Sequence, residues 1–115
     1  MGSIALEEPV PAEPVDPNAD LSSVLPMTAE IRDGHLWVGG VDMVELARTQ
    51  GTALYVMDEA QIRNQLREFR KWTAFHWKDV ETVYAAKAFM CKAMCRVVHE
   101  EGCMVLCASG GELAI

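Results

Sequence analysis

The feature that most limits the fold is a repeated order of elements. From Gly51 onward, three short and largely apolar runs alternate with helical patterns. The runs are TALYVMD (52–58), VETVYAA (80–86) and CMVLCA (103–108). Their apolar residues are continuous rather than alternating, as in strands covered on both faces. The order predicts about three parallel strands packed against helices, an α/β class. Three parallel strands do not close a barrel. A (β/α)8 TIM-type barrel takes about 250 residues, whereas this sequence has 115. The chain is therefore expected to be the N-terminal piece of a longer protein, with its barrel incomplete. The alternative is a small open three-layer α/β domain, complete in itself.

Helix-end signals support this order. Asp42 and Asp58 are good N-caps, and Glu45 and Gln61 stand at the reciprocal capping-box position. Val41 with Leu46, and Met57 with Ile62, fall at hydrophobic-staple positions. Gly51 suits the residue after a helix end. Ile62, Leu66 and Phe69 recur at i, i+4 and i+7, with Arg63, Arg67 and Arg70 on the other side. That spacing predicts an amphipathic helix of about four turns. Trp72, Phe75 and Trp77 are read as packing at its end. A further helix around 89–101 would carry Ala93, Met94, Val97 and Val98 as its apolar stripe and stop at Gly102. Ser109 then caps a last helix, with Glu112 at the capping-box position. Upstream, Asp33-Gly34 is a turn signal between Ile31 and the apolar group Leu36, Trp37 and Val38, which predicts a short hairpin.

Charge divides the chain. Residues 1–30 hold six acids and no Lys or Arg, and the other 85 residues carry 10 basic and 11 acidic side chains. All five prolines lie in the first 26 residues. Residues 1–27 therefore read as an acidic, Pro-rich flexible leader. Residues 28–41 read as an entry hairpin or strand segment, and 42–115 as the truncated barrel. No basic patch suggests nucleic acid. No secretory signal, myristoylation site or membrane span is apparent, so a cytoplasmic location with reduced cysteines is expected. Cys91, Cys95, Cys103 and Cys107 form C-x3-C-x7-C-x3-C. That spacing fits buried free thiols better than a zinc module, and no metal is expected. His35, His76 and His99 are widely separated and read as surface or cap residues. Ser109-Gly110-Gly111 could present amides to an anion, but capping explains it as well.

One residue stands apart. Lys87 lies between alanines in VYAAKAF, where the second strand should end and a loop begin. In an α/β barrel that end is the catalytic face. An apolar setting disfavours the charged form of a lysine, and a neutral amine is a nucleophile able to form a Schiff base with an aldehyde. The commoner case is a strand-end lysine that extends its head to solvent.

Three blocks carry a resemblance: Gly-Thr-x-Leu-Tyr-Val (51–56), Tyr-Ala-x-Lys-Ala (84–88) and Ser-Gly-Gly-Glu-Leu (109–113). Over about residues 34–115 the sequence resembles the start of the diaminopimelate decarboxylases, pyridoxal-phosphate enzymes of the alanine-racemase-like barrel family. GHLWVGGVD also resembles that family's entry into the barrel. The resemblance implies that residues 42–115 belong to a barrel binding pyridoxal 5'-phosphate. It implies that Lys87 is both the cofactor-binding and the catalytic residue. The implied reaction of the intact protein is decarboxylation of meso-2,6-diaminopimelate to L-lysine and carbon dioxide, the fragment alone being inactive. A homodimer with a small amino-acid substrate is implied too. Ornithine, arginine or a carboxylated polyamine is the alternative substrate, and a non-catalytic small α/β module the alternative class. One position departs from the family, which usually has an acid three residues before the serine of the third block. This chain has Leu106 there, so either another group substitutes or cofactor affinity or activity is compromised.

Overall fold

The computed structural model describes residues 23–115. The predicted leader lies outside the described residues apart from 23–27. The chain first forms a three-stranded antiparallel sheet of β1 (Glu30–Arg32), β2 (His35–Val38) and β3 (Val41–Asp42). Arg32 faces His35 across β1 and β2, and Val38 faces Val41 across β2 and β3. Both connections are two-residue loops, Asp33-Gly34 and Gly39-Gly40, and all four residues have positive φ. Such turns match the right-handed twist of paired strands. The predicted hairpin is present, extended by β3. Arg32 also lies over the Trp37 ring at 4.9 Å.

Helix α1 (Met43–Gln50) starts at Asp42, whose side chain accepts from the amides of Val44 and Glu45. Asp42 also lies 2.7 Å from His35 Nδ1, and this bond leads in lowering its carboxyl below the usual carboxylate range. Gly51 ends the helix with φ 85°. Helix α2 (Glu59–His76) starts at Asp58, which caps Ala60 and accepts from the Thr28 hydroxyl. The capping boxes form only in half. Glu45 pairs with Arg48, and Gln61 instead accepts from the amide of Met27. Helix α2 spans 18 residues, about five turns rather than four. It therefore includes Trp72 and Phe75, which stand exposed edge to face at 6.4 Å instead of packing beneath its end.

The segment 52–58, expected as a strand, pairs with nothing among the described residues. Leu54, Tyr55, Val56 and Met57 are all exposed there. Among the described residues the parallel strands number two, not three. They are β4 (Val83–Ala85) and β5 (Met104–Leu106), joined in register from Val83↔Met104 to Ala85↔Leu106. Helix α3 (Lys92–Glu100) connects them, and a short α4 (Gly110–Leu113) follows β5. The architecture is mixed α/β around a βαβ unit.

The core lies between that unit and α2. Met94, Val98 and Cys103 are buried together, with Ile62, Leu66, Tyr84, Cys91 and Val105 packed against them. Val98 has no exposure at all, and burial of such a side chain stabilises by about 1.5–3 kcal/mol. Of the predicted stripe, Ala93 is exposed, because the buried face of α3 runs through Met94, Val97 and Val98. Gly102 stops α3 with φ 67°. Its amide reaches the His99 carbonyl, and the Cys103 amide reaches Val98, the paired bonds of a glycine C-terminal cap.

Candidate functional site

The C-terminal ends of β4 and β5 lie side by side because the strands are parallel and in register. The second sequence block leaves one end and the third leaves the other. After Ala85 the chain makes a single 3-10 turn, Ala86–Ala88, with Lys87 at its centre. Ala86 is only 2% exposed and anchors the turn. Lys87 and Ala88 face outward. The Tyr84 hydroxyl donates to the Phe89 carbonyl at 2.8 Å and spans the turn from β4 to the link before α3. Beyond it, Cys91 caps α3, its Sγ accepting from the Met94 amide at 3.5 Å.

Lys87 thus lies where the sequence predicts, in the strand-to-helix connection. Its expected apolar setting is absent: the side chain is exposed. The residues flanking Lys87 are small or turned outward, so continuity of apolar sequence does not enclose it. Among the described residues it takes part in no ion pair. The result is a primary amine, free and reachable, on a turn whose two ends are held. Such an amine can attack a carbonyl whenever it is unprotonated.

At the end of β5, Ser109 caps α4 by accepting from the Glu112 amide at 3.2 Å. Glu112 reaches back to accept from the Ala108 amide at 2.5 Å. Leu106 pairs with Ala85 and is exposed. The first block, 51–56, forms no ladder with either strand among the described residues. The structure therefore brings the second and third blocks to one end of a sheet and leaves the first outside it.

A second cluster escaped the sequence reading. Arg63 is partly buried while Arg67 and Arg70 stay exposed, yet their heads are not left to solvent alone. All three converge on the end of α3, where Glu101 is 7% exposed. Arg67 grips its carboxylate through Nε and Nη2, both at 2.6 Å, and Arg63 adds a bond at 2.9 Å. Arg70 donates to the Glu101 carbonyl at 2.6 Å, and Arg63 also reaches Glu100 and Glu59. Arg67 foremost, and then Arg63, hold the Glu101 carboxyl below its usual range. The i, i+4, i+7 spacing of the arginines and the adjacent Glu100-Glu101 pair were the signals. Their pairing needs α2 beside α3, which no local pattern specifies. This cluster fastens the helix that follows Lys87.

All four cysteines are free thiols, and burial foremost raises that of Cys103. Among the described residues no group of three or more His, Cys, Asp or Glu side chains is gathered as for a metal. Among them, too, no helix is long and apolar enough to cross a membrane.

Comparison with family models gives no match. Comparison with curated proteins does. The chain is 45% identical over 80 residues to a diaminopimelate decarboxylase of Halalkalibacterium halodurans, covering 70% of this chain and 18% of that protein. It is 39% identical over 92 residues to one from Methanocaldococcus jannaschii, covering 76% and 21%. Against one from Synechocystis it is 35% identical over 105 residues, covering 90% and 22%. The chain spans about a fifth of the length of the curated relatives it matches.

Proposed function

We propose that this chain, related to the diaminopimelate decarboxylases over a part of their length, belongs to a protein that decarboxylates meso-2,6-diaminopimelate to L-lysine. The observation that carries the reading is the placement of Lys87. The block that resembles the family's cofactor lysine stands on a held turn at the C-terminal end of a parallel strand, with its amine exposed. In (β/α)8 barrels that end is where reacting groups gather. The parallel pair joined by α3 is one βαβ step of such a barrel, and we assign residues 42–115 to it.

The cofactor implied is pyridoxal 5'-phosphate, and the residue fits one end of it. Lys87 offers the reachable primary amine that its aldehyde requires. When bound, the cofactor supplies an electron sink for the pair left on carbon as the carboxylate departs. The described residues contribute the rest. Ala86 and the Tyr84 bond set where Nζ of Lys87 can reach. That Nζ, when not covalently engaged, is a base or acid for proton transfer. A cytoplasmic homodimer acting on a small amino acid completes the reading.

The test is the Lys87→Ala variant of the whole protein with pyridoxal phosphate. Decarboxylation is expected to fall by at least about a hundredfold, with loss of the absorbance of the lysine-bound cofactor. Full activity in the variant overturns the reading. Ornithine, arginine and carboxynorspermidine assayed beside meso-diaminopimelate decide the substrate.

A further inference from the structure

We infer that Tyr84 is a positioning residue for Lys87, acting through its hydroxyl on the turn that carries the lysine. The inference rests on the reading of Lys87 as the cofactor-binding lysine.

Tyr84 has two ends in different surroundings. Its ring packs against the core formed by Met94, Val98 and Cys103. Its backbone is fixed in β4, opposite Val105. The ring position is therefore set by the sheet and by α3. From that position the hydroxyl donates to the Phe89 carbonyl, five residues on. The bond closes a loop that contains the whole 3-10 turn.

The need for such a bond follows from the chain around it. After Ala88 the backbone leaves the turn in extended form, with Phe89 at φ −167° and ψ 130°. The link from Phe89 to Cys91 belongs to neither strand nor helix. It enters no ladder among the described residues, so the ladder of β4 does not reach past Lys87. Ala86 holds the near side of the turn by burial, and the Tyr84 bond holds the far side. Without the hydroxyl, the Phe89 carbonyl turns to water and the link loses its tether. The amine of Lys87 then samples a wider volume, and the fraction of time spent at one position falls. Pre-set geometry of this kind is what a covalent site gains from its supporting residues.

The test uses Tyr84→Phe, which keeps the ring in the core and removes only the hydroxyl. Three measurements on the whole protein are compared with wild type. The first is hydrogen exchange of the 86–90 amides without cofactor, expected to quicken by up to about tenfold for one net hydrogen bond. The second is the dissociation constant for pyridoxal phosphate, expected to rise over the same range, with a shift in the absorbance of the lysine-bound cofactor. The third is the melting temperature without cofactor, expected to stay close to wild type. Val105→Ala serves as the contrast: it trims the same core, lowers the melting temperature and leaves cofactor absorbance unchanged. Borohydride reduction of the wild type, followed by peptide mapping, locates the cofactor. Attachment at a lysine other than Lys87 overturns the reading and this inference together. Attachment at Lys87 with Tyr84→Phe indistinguishable from wild type in exchange and affinity overturns the inference alone. Equal spectral shifts in Tyr84→Phe and Val105→Ala also overturn it, because the effect would then belong to the core and not to the hydroxyl.

Discussion

Residues 52–58 and residues 80–86 look alike in sequence, yet only the second run enters a sheet. Both are short apolar runs that precede a helix. Val83–Ala85 finds β5 alongside and donates its C-terminal end to the Lys87 turn. Leu54–Met57 finds no partner among the described residues and stays exposed. A strand is a pairwise object: its backbone groups must meet those of another strand. Apolar character decides that a segment tends to be buried, and the neighbour decides whether it can pair.

The contrast can be broken by mutation, and the largest effect belongs to the paired region. Met94→Ala removes a buried side chain from the core beneath β4 and β5. It is expected to cost about 2–5 kcal/mol in denaturant unfolding. A loss below about 1 kcal/mol would mean that the βαβ unit is not the stabilising centre.

Glu101→Gln comes next, because it unfastens α2 from α3. Arg67 and Arg63 lower the Glu101 carboxyl in the folded state relative to its unfolded value of 4.5. A group depressed in this way stabilises fully above its unfolded value and loses that contribution as pH falls through the folded value. The variant is therefore expected to melt below wild type at pH 7. The gap should close as pH drops below about 4. A gap that is constant with pH would show that the carboxylate charge is not the cause.

Gly102→Ala tests the stop of α3. Its φ is 67°, and an added Cβ would lie 3.0 Å from Arg70 Nη1. A loss of about 1–2 kcal/mol is expected from the left-handed backbone, with the Arg70 contact to Glu101 displaced. Gly51→Ala meets open space, but φ 85° with ψ −174° is a backbone region essentially reserved for glycine, so its loss should be the larger of the two. A loss at Gly102 greater than that at Gly51 would show that the Arg70 contact outweighs the backbone strain.

The smallest effect is expected in the unpaired region. Tyr55→Ala alters a fully exposed ring and should change the stability of this chain by no more than about 0.5 kcal/mol. A loss comparable with that of Met94→Ala would show that 52–58 is buried in solution, and the comparison would reverse.

Local devices were legible. Asp42, Asp58 and Ser109 cap helices as their residue types predict. Asp33-Gly34 turns the hairpin, and Gly51 and Gly102 end helices with positive φ. Lys87 sits just beyond a strand end, as VYAAKAF suggests. Each of these depends on residues within about one turn of itself. Other features were out of reach. Ala93 was assigned to a buried stripe it does not join, since helical spacing leaves the exact edge of a face open. The exposure of Lys87 depends on which neighbours close over the turn, and its flanking residues do not.

The sequence by itself determined where α1, α2 and α4 begin and where α1 and α3 stop, which turns are tight, and that one lysine follows a strand in an α/β order. It also carried the similarity to part of the diaminopimelate decarboxylases, through three short blocks in sequence order. Only the tertiary structure decided that β4 pairs with β5 while 52–58 pairs with nothing among the described residues. It alone set the Arg63, Arg67 and Arg70 grip on Glu101, and the Tyr84 bond across the Lys87 turn. The physical reason is range. Caps and turns are settled by dihedral preferences and hydrogen bonds between near neighbours. Strand partners, ion pairs and exposure are settled by which distant segments are packed together, and that depends on the free energy of the whole fold.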